Sequence, residues 1–320
     1  MKAIVRKTYG GPEVIEILEL DRPKPKTDEV LIRVKATTVN RTDQGVLTGM
    51  PKVFRLFIGL FKPKRVVLGT DFAGEVVALG NKVTNFDIGD RVWGFYDEGL
   101  QSQAEYMSFR QNDAIARIPE GVSFAEAVAS AEGGHYVNSF LKSVALKPGD
   151  KVLVYGATGA IGSSAVQILK ARGLYVTAVG GTPNMERVAL LGADKNIDYL
   201  NEDFTQDDET YDFVLDAVGK SSFSICRKLL TPKGIYISSE LGEGAENLYL
   251  PLLTKLKGGQ RVIFAIPGKT RESILYMTQL LEKGTFKPMI DRHYAMADVA
   301  EAYTYMMSGQ KLGNVILEIG

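Results

Sequence analysis

The stretch that decides the fold is KVLVYGATGAIGSSAVQILKARG, residues 151–173. An apolar run leads into Gly156, Gly159 and Gly162, and a segment of helical character follows at once. Glycine lets a chain turn sharply and lets backbone N–H groups approach a ligand without an intervening Cβ. The N–H groups at the start of a helix lack partners and favour a pyrophosphate. The stretch therefore predicts a strand, a dinucleotide-binding turn and a helix; the alternative is a strand–turn–helix that binds no nucleotide.

The same alternation of strand and helix continues downstream. Further strands are predicted in LYVTAVG (174–180), YDFVLDAVG (211–219), KGIYISS (233–239) and GQRVIFAIP (259–267). Helical segments connect them, such as PNMERVALLG (183–192), which has proline at its start and glycine at its end. Alternation of this kind builds βαβ units on a parallel sheet that is covered on both faces. The predicted fold class is therefore α/β, with a doubly wound parallel sheet.

The first third of the chain has a different character. Short strands rich in β-branched residues are predicted in MKAIVR (1–6), VIEILEL (14–20), DEVLIRVKATTV (28–39), GTDFAGEVVALG (69–80) and GDRVWGFY (89–96). Their spacing and glycine-rich corners indicate a compact, barrel-like β unit. At the other end, HYAMADVAEAYTYMMSG (293–309) predicts an amphipathic helix and NVILEIG (314–320) a last strand. That tail is too short to fold alone, so we expect it to return to one of the two units.

Composition excludes several classes of protein. The 320 residues carry 38 basic and 38 acidic side chains, so no global charge attracts nucleic acid or an anionic membrane. A single cysteine, Cys226, excludes an intramolecular disulfide and a multi-cysteine metal site. Only His135 and His293 are available for a histidine-based zinc site. No stretch resembles a signal peptide or a membrane span, so we expect a cytoplasmic protein with no bound metal and no nucleic-acid partner.

The end of the second strand of the α/β unit bears on the choice of cofactor. An NAD site usually places Asp or Glu there, on the ribose 2′-hydroxyl. This chain has Gly180, Gly181 and Thr182 instead, which leave room for a 2′-phosphate and do not repel it. Arg187 follows one helical turn later and is a candidate partner for that phosphate; the alternative is an ordinary exposed charge on a helix. NADPH is therefore favoured over NADH.

The chain resembles the medium-chain dehydrogenase/reductase superfamily, in particular its zinc-independent quinone oxidoreductase and enoyl-reductase-like branch. The resemblance covers nearly the whole length and rests on VKATTVNRTD (34–43), GTDFAGEVVALGNKVTNFDIGDRVWGF (69–95), AEY (104–106), GATGAIG (156–162), LGADKNIDY (191–199) and GQKLGNVILEI (309–319). It implies a GroES-like β-barrel catalytic domain over residues 1–123 and 286–320. It also implies a Rossmann dinucleotide-binding domain over residues 124–285.

The resemblance also implies a set of cofactor contacts. Tyr199 corresponds to a tyrosine that borders the adenosine phosphate, and Asn314 replaces a lysine found in many quinone reductases. The strand that contains Phe264 faces the carboxamide in relatives, and in many of them it pairs with a second subunit, so we expect a homodimer. The full set of expected cofactor residues is Gly156, Thr158, Gly159, Ala160, Ile161, Gly180, Gly181, Thr182, Tyr199, Val218, Gly219, Phe264, Ile266 and Asn314.

The expected chemistry follows from the family's zinc ligands. Zinc alcohol dehydrogenases of this superfamily carry Cys where this chain has Asn40 and His where it has Asp71, and the four-cysteine zinc loop is missing. Without a Lewis acid, hydride transfer is easiest to a quinone or to the β-carbon of an enal or enone, because the charge spreads onto an oxygen that ordinary donors can hold. The expected activity is therefore NADPH-dependent reduction of such a substrate. A zinc-free NADP-dependent alcohol dehydrogenase and a non-catalytic, membrane-associated NADPH-binding protein are the alternatives.

Three residues are candidates for the catalytic site. Asn40 and Asp43 belong to a segment that lines the substrate cleft in relatives, and capping of a local turn is their alternative role. Tyr136 corresponds to a tyrosine on the helix that borders the nicotinamide, with simple packing as its alternative. Asp71 is expected to order a turn and is not among the catalytic candidates.

One segment departs from the family pattern, at a place where relatives carry a variable loop near the cleft. Residues 50–65, MPKVFRLFIGLFKPKR, combine large apolar side chains with five basic ones. Three interpretations stay open: an apolar lid over a bulky substrate, an amphipathic segment that touches anionic lipid, or a helix packed on the barrel with solvated basic ends.

Overall fold

The structure is a computed structural model that describes residues 1–97, 99–181 and 184–320. The chain divides into two compact units, Met1–Glu132 with Lys269–Gly320 and Gly133–Gly268. The predicted division, after residues 123 and 285, assigns both connecting helices to the second unit. In the structure, helices Phe124–Ala129 and Thr270–Glu282 contact strands of the first unit instead.

The first unit is built on a two-stranded and a seven-stranded sheet. Its strands are β1 (Lys2–Arg6), β2 (Ile15–Glu19), β3 (Glu29–Thr38), β4 (Asp71–Leu79), β5 (Arg91–Phe95), β6 (Tyr106–Arg110), β7 (Ile115–Arg117), β14 (Ile290–Ala295) and β15 (Asn314–Glu318). The large sheet has the order β14–β15–β3–β4–β5–β7, and β6 also pairs with β3. One edge of β3 pairs with β4, and its other edge pairs first with β6 and then with β15. The tail therefore returns to the first unit.

The helices of the first unit are α1 (Arg41–Thr48), α2 (Arg55–Ile58), α3 (Phe124–Ala129), α9 (Thr270–Glu282) and α10 (Val299–Met307). The inward residues of β3, Val30, Ile32 and Val34, are buried in one hydrophobic core. Val315 and Leu317 of the last strand belong to the same core. Burial of these β-branched and aliphatic side chains stabilises the packing of the last strand with β3.

The second unit contains a six-stranded sheet in which every neighbouring pair is parallel. Its strands are β8 (Lys151–Tyr155), β9 (Tyr175–Gly180), β10 (Lys195–Asp198), β11 (Tyr211–Asp216), β12 (Leu230–Ser238) and β13 (Arg261–Phe264). Its helices are α4 (Ala131–Ser143), α5 (Ala160–Ala171), α6 (Met185–Ala189), α7 (Phe223–Cys226) and α8 (Glu246–Lys257). The sheet order is β10–β9–β8–β11–β12–β13, the order of a doubly wound dinucleotide-binding sheet.

One local prediction was wrong. Residues 293–309 do not form one helix: β14 extends to Ala295, and α10 begins only at Val299. Parallel pairing of β14 with β15 supplies hydrogen bonds that override the helical pattern. In the segment 50–65, a 3-10 turn, Lys52–Phe54, is followed by the four-residue helix α2, and Phe57 and Phe61 are exposed. The structure therefore does not support the interpretation of this segment as a helix packed on the barrel.

Candidate functional site

The second unit presents a topological switch point between β8 and β11. The next strand along the chain, β9, pairs with one edge of β8, and β11 pairs with its other edge. Gly156 follows β8 with φ +86°, in the left-handed region that favours glycine. A Cβ on Gly156 would lie 2.5 Å from Cγ1 of Val218, which follows β11. The two loops that open at the carboxyl ends of these strands therefore touch, at the place where doubly wound sheets bind ligands.

Two glycines of the turn differ in how much space the surrounding protein leaves for a side chain. A Cβ on Gly162 would lie 2.1 Å from the carbonyl oxygen of Gly156, so α5 packs against the turn too closely for any side chain. A Cβ on Gly159 would meet only that same oxygen, at 3.6 Å, which is an ordinary contact. No described residue therefore requires glycine at position 159, whereas a ligand approaching the backbone would.

The start of α5 fits an anionic ligand. Gly159 is the N-cap residue, and no side chain caps this end of the helix. The N–H groups of Ala160 and Ile161 belong to the first turn, where an α-helix has no internal acceptors. Such an end carries about half a positive charge, so it suits a dinucleotide's pyrophosphate.

The end of β9 lies beside this turn. A Cβ on Gly180 would lie 3.2 Å from Cγ2 of Thr158, and one on Gly181 would lie 3.1 Å from the hydroxyl of Tyr199. The Tyr199 side chain is 48% exposed, and its backbone N–H donates to Gly180 O at 3.0 Å. The structure thus gathers these four expected cofactor residues at one edge of the sheet. The prediction for Thr182 lies outside the described residues.

The loop after β11 is organised by a residue that the sequence prediction missed. Asp216 is fully buried and accepts hydrogen bonds from the N–H groups of Val218 at 3.1 Å and Gly219 at 2.8 Å. Its other oxygen accepts from the N–H of Ser221 and the hydroxyl of Tyr236. The sequence carried a signal for this role, because Asp216 ends the otherwise apolar run FVLD, residues 213–216. A buried carboxylate needs hydrogen-bond donors of this kind.

Three other expected residues of this unit have less specific surroundings. Phe264 is the last residue of β13 and is half-buried, whereas Ile266 is 74% exposed. Tyr136 lies in α4 and is half-buried. Its ring makes edge contacts with the rings of His135 and Phe140, at centroid distances of 5.7 and 6.4 Å. These contacts accord with the packing role that is its alternative.

The first unit contains a buried polar network around the start of α1. Asn40 is the N-cap residue of α1, and its backbone N–H donates to Oδ2 of Asp43 at 3.0 Å. Oδ1 of Asp43 accepts from the Thr70 hydroxyl at 3.0 Å. Burial, and next the neighbouring charge of Asp71, raise the pKa of Asp43 well above its usual range. Capping, the alternative role of Asp43, is thus present in the structure.

Asp71 does not order a turn. It is the first residue of β4, fully buried, and its carboxyl group accepts from the end of β3. The donors are the Thr37 hydroxyl at 2.8 Å, the Thr38 N–H at 2.7 Å and the Thr38 hydroxyl at 2.5 Å. Burial raises the pKa of Asp71 to about 7, although the threonine hydrogen bonds oppose that shift.

The side chain of Asn40 is fully engaged in the same network. Its Nδ2 donates to the Thr38 hydroxyl and to Oδ1 of Asn314, both at 2.9 Å. Its Oδ1 accepts from the ammonium group of Lys311 at 3.0 Å, and burial lowers the pKa of that lysine. Asn314 is 1% exposed and donates its own Nδ2 to Met289 O. Lys311 was missed because nothing in GQKLGN distinguishes a buried lysine from a solvated one.

The described side chains do not fit a zinc site. Within residues 1–97, 99–181 and 184–320, no group of three His, Cys, Asp or Glu side chains is arranged to hold a metal ion. The carboxyl oxygens of Asp43 and Asp71 already accept hydrogen bonds from threonines and backbone. The buried Cys226 contacts Ser221, and burial raises the pKa of its thiol to about 11, which disfavours the thiolate that binds metals. In the same described residues, no helix is long and apolar enough to cross a membrane.

Comparison with known proteins assigns the family. The model of the alcohol dehydrogenase GroES-like domain matches residues 26–138, and the model of the zinc-binding dehydrogenase matches residues 191–317. The chain is 30% identical to the chloroplast envelope quinone oxidoreductase homolog of Arabidopsis thaliana, over 99% of this chain and 98% of the relative. The chain belongs to the medium-chain dehydrogenase/reductase superfamily. It is an NAD(P)H-dependent oxidoreductase of the quinone oxidoreductase-like branch.

Other members of the superfamily agree with this assignment. A quinone oxidoreductase of Pseudomonas aeruginosa is 28% identical over 99% of each chain. The solved structure of the quinone oxidoreductase from Coxiella burnetii superposes with a TM-score of 0.88 at 26% identity, over 100% of this chain and 99% of that one. The predicted fold class, a GroES-like unit with a Rossmann sheet, is confirmed.

Proposed function

We propose that this protein reduces a quinone or an α,β-unsaturated carbonyl compound with NADPH. The observation that carries the proposal is the uncapped start of α5 at the switch point of the parallel sheet. There, no described residue lies close enough to position 159 to require glycine. Quinone oxidoreductase relatives over the full length support the reaction class.

The cofactor would be held by the backbone of the second unit. The N–H groups of Ala160 and Ile161 would bind the pyrophosphate, with Gly156 and Gly159 giving access to the backbone. Gly180 and Gly181 place no carboxylate where it would repel a 2′-phosphate, and Arg187 on α6 is the candidate partner of that phosphate. Bound NADPH supplies a hydride to the substrate.

The first unit would position the substrate. The amide of Asn40 is fixed by Thr38, Asn314 and Lys311, and Asp43 is fixed by Thr70. Every described polar atom of the Asn40 side chain already has a partner, so we assign Asn40 and Asp43 to holding the shape of the polar site rather than to moving a proton. Tyr136 remains the candidate hydroxyl donor to the substrate oxygen.

The test is cofactor oxidation by the purified chain with a panel of quinones, enals, enones and simple ketones. We expect turnover of conjugated acceptors with NADPH, at least tenfold faster than with NADH and faster than any simple ketone. Oxidation of alcohols at a comparable rate would favour the alcohol dehydrogenase alternative. Absence of turnover together with tight NADPH binding would overturn the enzymatic proposal and favour the non-catalytic one.

We also propose that two copies associate through the β13 side of the second unit. In the described part of the chain, β13 pairs with β12 alone, so it is an edge strand of the sheet. Leu248, Leu252 and Leu256 on the neighbouring helix α8 are exposed. Apolar patches and open sheet edges of this kind are typical of protein–protein contacts.

A further inference from the structure

The first unit contains a cavity that is lined by residues of that unit. It has a volume of about 240 Å³. Three basic residues, Arg6, Lys64 and Arg65, line it together with apolar side chains that include Val46, Phe57 and Ile58. A cavity of about 150 Å³ lined by apolar groups is enough to bind benzene. The volume therefore admits a small organic molecule.

Arg6 is a buried cation with no counter-ion among the described residues. Its side chain is 1% exposed. Nε and Nη2 donate to Val46 O at 3.1 and 2.7 Å, and Nη1 donates to Arg65 O at 2.9 Å. A guanidinium group has five N–H donors, so two remain after these bonds. No carboxylate in the described ranges pairs with Arg6, and burial lowers its pKa. A buried charge in this state is costly unless an anion joins it.

The other two cations add to the same positive charge. The Lys64 ammonium donates to Phe57 O at 3.1 Å, and the Arg65 guanidinium donates to Gly99 O. Both partners are neutral carbonyls, and neither cation forms an ion pair with a described carboxylate. Three cations therefore line one cavity, and the remaining wall is apolar.

We propose that this cavity binds a small amphipathic oxyanion. The carboxylate or phosphate group would contact Arg6, Lys64 and Arg65, and a short apolar chain would lie against Phe57 and Ile58. A guanidinium group presents parallel N–H donors that match an oxyanion, which a neutral head group cannot exploit. This also assigns a role to residues 50–65: they form part of the wall of this cavity, and their last two basic residues contact the ligand.

The experiment is calorimetric titration of the full chain with octanoate. 1-Octanol tests the apolar chain without the charge, acetate tests the charge without the chain, and octyl phosphate compares the two oxyanions. Vesicles that contain anionic phospholipid test whether the anionic group that binds in the cavity belongs to a membrane lipid. Every titration is repeated with saturating NADPH, to separate this cavity from the cofactor site.

The variants are the double substitution Lys64→Met with Arg65→Met, and Lys62→Met as the matched control. Lys62 is an exposed lysine of the same segment that does not line the cavity. Because both cations of the double variant are exposed, their replacement tests binding without removing the buried Arg6.

We expect octanoate to bind one site, unaffected by NADPH, with at least tenfold weaker binding of octanol and of acetate. The double variant should lose at least tenfold in affinity, whereas Lys62→Met should stay within twofold of the unmodified protein. Equal binding of octanol and octanoate, or equal losses in both variants, would refute the proposal. Binding to vesicles without binding to monomeric octanoate or octyl phosphate would replace it with a membrane contact. Competition by NADPH would assign the ligand to the cofactor site instead.

Discussion

At the scale of single residues, the first unit buries two carboxyl groups, those of Asp43 and Asp71. Threonine hydroxyls and backbone N–H groups satisfy both carboxyl groups, but burial still raises the pKa of each. The family resemblance implied that Asp71 stands where zinc alcohol dehydrogenases of the superfamily carry a histidine. It could not show the bonds to Thr37 and Thr38, because they join two strands that are distant in the chain.

The raised pKa of Asp71 makes stability depend on pH. Burial raises the pKa of Asp71 to about 7 in the folded protein, whereas an aspartate carboxyl group in an unfolded chain has a pKa of about 3.9. The folded state therefore binds more protons between these values, and stability falls as the pH rises through them. In Asp71→Asn this contribution is absent. Relative to that variant, the free energy of unfolding of the natural protein should fall by on the order of 1–4 kcal/mol between pH 4 and pH 8.

Urea unfolding at several pH values measures this difference. Asp203→Asn is the control, because hydrogen bonds from Thr205 lower the pKa of that exposed carboxyl group, so its contribution has the opposite sign. Parallel pH profiles for the natural protein and Asp71→Asn would show that the Asp71 carboxyl group is ionised in the folded protein.

The glycines of the turn after β8 give a paired prediction. Gly159→Ala adds a Cβ with an ordinary 3.6 Å contact, so the variant should fold normally and lose at least tenfold in NADPH affinity. Gly162→Ala adds a Cβ 2.1 Å from a backbone oxygen, so it should lower the melting temperature as well. Calorimetry and thermal unfolding check the pair. Unchanged NADPH affinity in Gly159→Ala would contradict the assignment of this turn to the pyrophosphate.

At the scale of elements, hydrophobic pattern and glycine position predicted most of the parallel sheet. Strands β8, β9, β11 and β13 lie within predicted segments, because buried parallel strands are continuous apolar runs. The segment predicted for β12, residues 233–239, covers only the later part of that strand, which begins at Leu230. The pattern failed for β14, whose residues acquire strand structure only by pairing with β15.

The loop after β11 depends on one carboxylate. Asp216→Asn replaces one acceptor oxygen by an NH₂ group, so a buried N–H of the loop or the Tyr236 hydroxyl loses its partner. The expected cost is about 1–3 kcal/mol of stability, with weaker NADPH binding because Val218 and Gly219 are displaced. Tyr236→Phe removes a single donor and should cost less. Denaturant titration of both variants measures the effect, and equal stability of Asp216→Asn and the natural protein would contradict it.

At the scale of the whole molecule, the proposed dimer has a direct test. Sedimentation velocity at micromolar concentration should show two copies, because apolar side chains of α8 would leave water on association. Replacing Leu252 and Leu256 with Asp should produce monomers. Lys283→Asp, on an exposed residue of the first unit, is the control and should remain dimeric. A monomeric natural protein would refute the proposal.

The order of the strands along the chain bears on synthesis at the ribosome. The second unit is one uninterrupted segment and has its last strand by Phe264. The strands β14 and β15 of the first unit are synthesised only after that. Residues Ala36 to Thr38 of β3 therefore stay unpaired on one edge until β15 has emerged as far as Glu318. Domains generally fold as units as they emerge. The second unit would then complete its sheet first, while β3 of the first unit still lacks its pairing with β15.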